Sequence, residues 1–255
     1  MTTAPINGIT IRYDVSGSGP ALLLTHGYSS TGRAWDGQHG ALDDRHRVIS
    51  WDMRGHGETE SPADPALYSH DLTVGDMHGL LRHLGVERAV VGGLSLGGTM
   101  SLAFYHRHPE MVRALVICDS GPGYRNAEAR AEWNRRAQAR AADLQARGLE
   151  ALSGGSRDMR EAVRRHRSAQ GLAHAARGML AQRDSSIIDS LPDVRVPTLV
   201  IVGDQDAPFL APCEYMAKKI PGARLEIIKD AGHSSNLDQP EAFNRVLRAF
   251  LDSLP

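Results

Sequence analysis

The chain has 255 residues, 41% of them hydrophobic and 23% charged, which is enough for one large domain with a substantial core. A formal net charge of −1 gives no reason to expect nucleic acid or a membrane surface as a partner. The two cysteines, Cys118 and Cys213, lack metal-ligand spacing and predict buried reduced thiols rather than a disulfide framework.

The first five residues, Met1-Thr2-Thr3-Ala4-Pro5, do not have the charged start and apolar stretch of a signal peptide. No run is long enough to span a bilayer, so the expected compartment is the cytoplasm. Asn7-Gly8 signals a hairpin between Ile6 and the alternating residues 9–13, and the second strand ends at Ser16-Gly17-Ser18-Gly19-Pro20. Residues 21–25 form a continuous apolar run, as expected of a strand buried on both faces. Residues 32–42 are predicted helical and 47–51 a buried strand. Ser69 caps a predicted helix to about Leu84, with Leu72, Met77, Leu80, Leu81 and Leu84 on one face. A strand over 88–94 and a helix that starts just after Ser95, with its body over 99–108, follow, then a strand over 112–118.

The pattern changes from Gly121 to Ser190, where no strand candidate appears. Trp133, Ala137, Ala141 and Leu144 stand at helical spacing, and Ser153-Gly154-Gly155-Ser156 interrupts the run, which predicts two to four inserted helices. A strand over 198–202, a helix near 211–220, a strand over 225–228 and a helix over 240–254 restore the alternation. Such alternation predicts a mostly parallel sheet covered on both faces. The expected organisation is a core of residues 1–120 and 191–255 with a helical cap of residues 121–190.

The chemistry centres on Gly93-Leu94-Ser95-Leu96-Gly97, which fits G-x-S-x-G between a Val-rich strand and a helix. Such a turn strains the serine backbone and lifts the hydroxyl above the sheet edge, while small residues at 93 and 97 let strand and helix pass closely. A serine needs a base held in one tautomer. His233, in Asp230-Ala231-Gly232-His233-Ser234 after the last strand, is the expected base. Most other histidines, such as His78, His83, His106 and His108, fall on predicted helices and read as solvated. Asp206, just past the 198–202 strand, is the expected acid. Asp204 is closer to the strand and better placed to bond the loop backbone; Asp119, directly after the 112–118 strand, is a second competitor. The expected oxyanion donors are the backbone N–H groups of Leu96 and of Tyr28 in His26-Gly27-Tyr28-Ser29.

These segments, together with Trp51-Asp52-Met53-Arg54-Gly55-His56-Gly57-Glu58-Thr59, stand in the order of the α/β-hydrolase superfamily, which the chain resembles over essentially its whole length. The resemblance implies an α/β-hydrolase fold: a mostly parallel eight-stranded sheet, helices on both faces and an inserted helical cap. It gives the Asp52–Gly57 block a structural role. Asp52-Met53-Arg54-Gly55-His56-Gly57 with the elbow is most similar to 3-oxoadipate enol-lactonase-like hydrolases and related carboxylesterases. Serine at 95 argues against the dehalogenase and epoxide hydrolase branches, which place Asp there.

The expected function is therefore hydrolysis of a small-molecule ester or lactone through an acyl-enzyme on Ser95. No metal or organic cofactor is expected, and the assembly is a monomer or small homo-oligomer. A C–C bond hydrolase of a vinylogous diketone, a cofactor-free perhydrolase and a slow-turnover small-molecule receptor use the same residues and remain rivals. Tyr28 and Trp133 are candidate substrate contacts, although Trp133 also suits core packing. Residues 121–190 hold 13 arginines against 8 acidic residues, a balance of +5. That excess reads as a solvated helix face; steering of a carboxylate-bearing substrate by arginines such as Arg135 and Arg136 is the alternative.

Overall fold

The structure is a computed structural model and describes residues 2–255. Eight strands make one sheet: β1 (Thr2–Ile6), β2 (Ile9–Ser16), β3 (Ala21–Thr25), β4 (Arg47–Trp51), β5 (Ala89–Leu94), β6 (Val112–Cys118), β7 (Thr198–Gly203) and β8 (Arg224–Ile228). Their spatial order is β1-β2-β4-β3-β5-β6-β7-β8. β1 and β2 pair antiparallel across the Asn7-Gly8 turn, and β2 pairs antiparallel with β4. Both turn residues have positive φ, 49° and 81°, as a two-residue hairpin requires. From β4 to β8 every pairing is parallel.

Parallel neighbours need crossovers, and helices supply them. A 3-10 turn (Gly32–Trp35) leads into α1 (Asp36–Leu42); α2 (His70–His83) and α3 (Leu96–Arg107) link the next strands. Between β6 and β7 lie α4 (Ala127–Arg147), α5 (Arg157–Ala162), α6 (Ala169–Ala175) and α7 (Ser186–Ser190), with no strand among the described residues there. α8 (Ala207–Lys219) joins β7 to β8, and α9 (Ser235–Asp238) and α10 (Pro240–Asp252) end the chain.

Successive side chains of a strand point to opposite faces, so an apolar run feeds two cores. Leu22 and Leu24 of β3, with Val90, Val116 and Ile201 of its neighbours, pack with Trp35 and with Phe243, Leu247 and Phe250 of α10. Leu23, Val91, Leu115 and Val200 face the other way, onto Met77 and Leu81 of α2, Met100 and Phe104 of α3 and Met216 of α8. Cys118 and Cys213 are both buried and free. Ser69 caps α2, its Oγ accepting from the Leu72 N–H at 3.1 Å.

Two helix boundaries differ from the sequence pattern, and the start of α3 agrees with it. The predicted 32–42 helix is split, its first four residues forming the 3-10 turn. α3 begins at Leu96, directly after the elbow serine as the sequence pattern predicts; Gly97 and Gly98 are poor helix formers held there by packing. α8 begins at Ala207 rather than Ala211. Pro208 occupies its first turn, where a missing N–H costs nothing, and Pro212 lies inside the helix and masks its continuity. Nor are all four helix-borne histidines solvated, since His78 and His108 are half-buried and stack at 4.7 Å.

Candidate active site

The elbow is held from both sides of Ser95. Its backbone has φ 54° and ψ −116°, in the region that disfavours a side chain. Four hydrogen bonds hold it: Ser95 N–H donates to Cys118 O at 2.9 Å, and Ser95 O accepts from the N–H groups of Gly98 (3.0 Å) and Thr99 (3.2 Å) and from Ser120 Oγ (2.6 Å). A Cβ on Gly97 would stand 2.1 Å from Thr25 O, and one on Gly93 would stand 2.4 Å from the Gly97 carbonyl carbon. Only glycine lets β5, α3 and the end of β3 meet this closely.

Asp206 and His233 come from the loops after β7 and β8. His233 Nδ1 donates to Asp206 Oδ2 at 2.8 Å; the Asp206 side chain is 4% exposed and the imidazole 26%. Burial works against a charged imidazole here. The hydrogen bond and charge of Asp206, with the charges of Asp119 and Asp158, outweigh it and hold the His233 pKa above its ordinary value. Phe209 of α8 lies against the ring, centroid to centroid 4.7 Å.

The two competing aspartates are placed elsewhere. Asp204 Oδ1 accepts from the Ala231 N–H at 3.3 Å, a bond within the loops. Asp119 accepts from the Gly203 N–H (2.8 Å) and Ser235 Oγ (2.5 Å), and so braces the loops that carry Asp206 and His233 without bonding the imidazole. Its burial pushes the carboxyl up to about 7.

The Leu96 and Tyr28 N–H groups both lack an acceptor among the described residues. Leu96 is the first residue of α3, where backbone donors are unpaired and the helix dipole is positive. Tyr28 is 5% exposed; its hydroxyl donates to Leu172 O at 2.9 Å, and burial pushes its pKa up to about 12. Its ring meets His56 edge-on at 5.6 Å.

Gly27, Tyr28, Ser95, Asp206 and His233 line one cavity of about 740 Å³, and its other wall is built from α4, α5 and residues 151–156. Concavities of about 350 to 400 Å³ lie elsewhere. Trp133 lines the cavity, half-buried, with its Nε1 donating to Leu180 O at 2.8 Å. Arg136, Arg140 and Arg147 also line it, whereas Arg135 does not and pairs with Glu132 at 2.6 Å.

Sequence reasoning missed several neighbours of the site. Asp158 of α5 is 3% exposed and lines the cavity beside Gly27. His166 bridges segments: its Nδ1 accepts from the Gly57 N–H at 2.9 Å and its Nε2 donates to Ser29 O at 3.0 Å. The rings of His26 and His56 meet nearby, 5.1 Å centroid to centroid and tilted by 57°. Burial lowers the pKa of His26 and His166 to about 4 and that of His56 well below its ordinary value, so all three rings are neutral. Their spacing carries no local signal, because the fold alone brings residues 26, 56 and 166 together. No group of three or more His, Cys, Asp or Glu side chains among the described residues could hold a metal ion. No described helix is long and apolar enough to cross a membrane.

The geometry agrees with comparison to known proteins. A family model described as the alpha/beta hydrolase fold matches residues 20–240. A Bacillus subtilis (strain 168) protein with the provisional name 2-succinyl-6-hydroxy-2,4-cyclohexadiene-1-carboxylate synthase is 30% identical, over 96% of each chain. The enol-lactonase from Burkholderia xenovorans LB400 superposes with a TM-score of 0.85 at 27% identity, covering 99% of this chain and 100% of that one. A thermophilic esterase from Thermogutta terrifontis gives 0.87 at 28% identity, covering 99% and 98%. The family match spans most of the chain, and the sheet order and elbow agree with it: the chain belongs to the alpha/beta hydrolase fold family.

Proposed function

We propose that the protein is a serine hydrolase that cleaves a carboxylic ester or lactone through an acyl-enzyme on Ser95. The observation that carries this reading is the placement of a backbone-strained serine on the same cavity wall as a buried, hydrogen-bonded Asp–His pair. His233 Nε2 takes the Ser95 proton as Oγ adds to the carbonyl carbon. Ser95 Oγ and the imidazole are not hydrogen-bonded in the free protein, and such contacts tighten when substrate binds. Asp206 keeps the proton on Nδ1 and stabilises the imidazolium. The N–H groups of Leu96 and Tyr28 receive the negative charge of the tetrahedral intermediate. The C–O bond then breaks and His233 protonates the leaving oxygen, which stays tethered to the acyl group when the substrate is a lactone. Water, deprotonated by His233, releases the acid and restores Ser95. The helices of residues 121–190 act as a cap that decides what fits above Ser95.

The enol-lactonase and esterase relatives support ester chemistry. The Bacillus relative supports a second reading, in which the same residues act on an anionic substrate, because its name describes a carboxylate and three arginines line this cavity. Steady-state assays with short p-nitrophenyl esters and with lactones, on the wild type and Ser95→Ala, test the proposal. Turnover that disappears in the variant supports it. A wild type that binds these compounds without turning them over contradicts it and favours a receptor.

A further inference from the structure

Three carboxylates, Asp143, Asp158 and Asp206, line the cavity; the mechanism above uses Asp206, Asp143 is paired with Arg147, and Asp158 is left over. Asp158, in α5, is 3% exposed. Its Oδ1 accepts from Ser156 Oγ at 2.5 Å and from Ser234 Oγ at 2.8 Å, and Ser234 directly follows His233. Its Oδ2 accepts no hydrogen bond among the described residues. That oxygen lies 3.3 Å from the point where a Cβ on Gly27 would stand, and Ser95 Cβ lies 3.4 Å from the same point. Oδ2 and Ser95 therefore flank Gly27, whose next residue supplies the Tyr28 N–H. No Lys, Arg or His pairs with Asp158 within ion-pair distance among the described residues, and of the cavity arginines Arg136 and Arg147 are already paired with Glu132 and Asp143.

Asp158 is buried as a residue, but Oδ2 itself keeps access to the cavity and is free to accept a hydrogen bond there. Its charge opposes the negative charge that grows on the carbonyl oxygen beside it. A donor arriving at Oδ2 from within the cavity satisfies that oxygen and offsets its charge. We propose that Asp158 is a specificity-determining acceptor: it takes a hydrogen bond from a hydroxyl or ammonium on the α or β carbon of the acyl group. The preferred substrate is then a hydroxy- or amino-acid ester or lactone rather than a plain or α-carboxylated acyl ester. A site built to bond a donor discriminates strongly against an analogue that lacks it.

This inference rests on the hydrolase reading above, and the test separates the two. Methyl propionate, methyl lactate, methyl 3-hydroxybutyrate, methyl alaninate and monomethyl malonate are compared by acid release at constant pH. Wild type is expected to favour the lactate, hydroxybutyrate or alaninate ester over propionate at least about 30-fold in kcat/KM, with malonate the poorest. Asp158→Ala brings the ratio to near one. Asp158→Asn keeps a preference for hydroxyl and loses one for ammonium, which identifies the donor and also serves if the alanine variant does not fold. Calorimetric titration of Ser95→Ala with the same esters reads the preference without turnover. Binding preference without turnover in the wild type overturns the hydrolase reading alone. Turnover with no preference for a donor, or a preference that survives in Asp158→Ala, overturns this inference alone.

Discussion

Replacing Asp206 by Asn tests the acid assignment, because it keeps the shape of the side chain and removes the charge. In the wild type the carboxylate receives the His233 Nδ1 proton at 2.8 Å in a site 4% exposed, and it is the principal group raising the imidazole pKa against burial. An amide presents an N–H₂ as readily as a carbonyl, so the imidazole can adopt the tautomer that leaves no lone pair facing Ser95. By analogy with other triads the loss in kcat is about 10⁴-fold, equivalent to about 5.5 kcal/mol of barrier. The pH profile carries independent information. The acid limb of kcat/KM follows His233, so it lies above pH 6.5 in the wild type and moves lower in Asp206→Asn, where burial is less opposed. Initial rates on a p-nitrophenyl ester between pH 5 and 9 measure both quantities, with Asp119→Asn as the control. A loss under tenfold with an unmoved limb, or a larger loss in Asp119→Asn, refutes the assignment of Asp206 as the acid.

Other consequences follow from packing and charge. Gly97→Ala places a methyl 2.1 Å from Thr25 O in rigid backbone, and is expected to destabilise by about 3 kcal/mol or more, read as a fall in the urea midpoint; an unchanged midpoint contradicts the close approach. Between pH 6.5 and 4 the unfolded chain binds protons that His26 and His166 refuse, so stability falls with pH by about 3 kcal/mol for each ring. Asp119, raised to about 7, binds its proton in the folded state over the same range and works in the opposite direction. Urea midpoints at pH 7 and 4.5 are therefore expected to diverge more in Asp119→Asn and less in His166→Asn than in the wild type. Arg140 lines the cavity and has no ion-pair partner among the described residues, so Arg140→Glu is expected to lower kcat/KM for a long-chain dicarboxylic monoester about 3- to 10-fold at low salt and to leave a neutral ester of similar size little changed. Equal salt dependence for the two esters means that the arginines form only a solvated helix face.

The central strands β3 to β7 were legible because each is a short apolar run bounded by Gly, Pro or polar turns, and burial on both faces needs no period to be recognised, whereas β2 was read from its alternation after Asn7-Gly8. The elbow was legible because strain, close backbone approach and a helix start all demand particular residues within five positions. The start of α8 was less so, because two prolines hid its first turn. Asp158 and His166 were illegible for a different reason. Each is one polar residue in a polar, Arg-rich stretch, and its meaning comes from contact with Ser234, or with Ser29 and Gly57, far away in sequence. No local pattern encodes such contacts. The cavity wall is set by how α4 and α5 dock, which periodicity does not specify.

The central claim is that Ser95 forms a covalent acyl-enzyme. A p-nitrophenyl alkylphosphonate transfers its phosphonyl group to an activated serine and releases p-nitrophenol, leaving a stable adduct. Intact-mass and peptide-mass measurement after exposure at neutral pH gives the stoichiometry and the position. One adduct per chain on the peptide containing Ser95, absent from Ser95→Ala and strongly slowed in His233→Ala, is the predicted result. An adduct on another residue, or one that forms equally fast in Ser95→Ala, contradicts it.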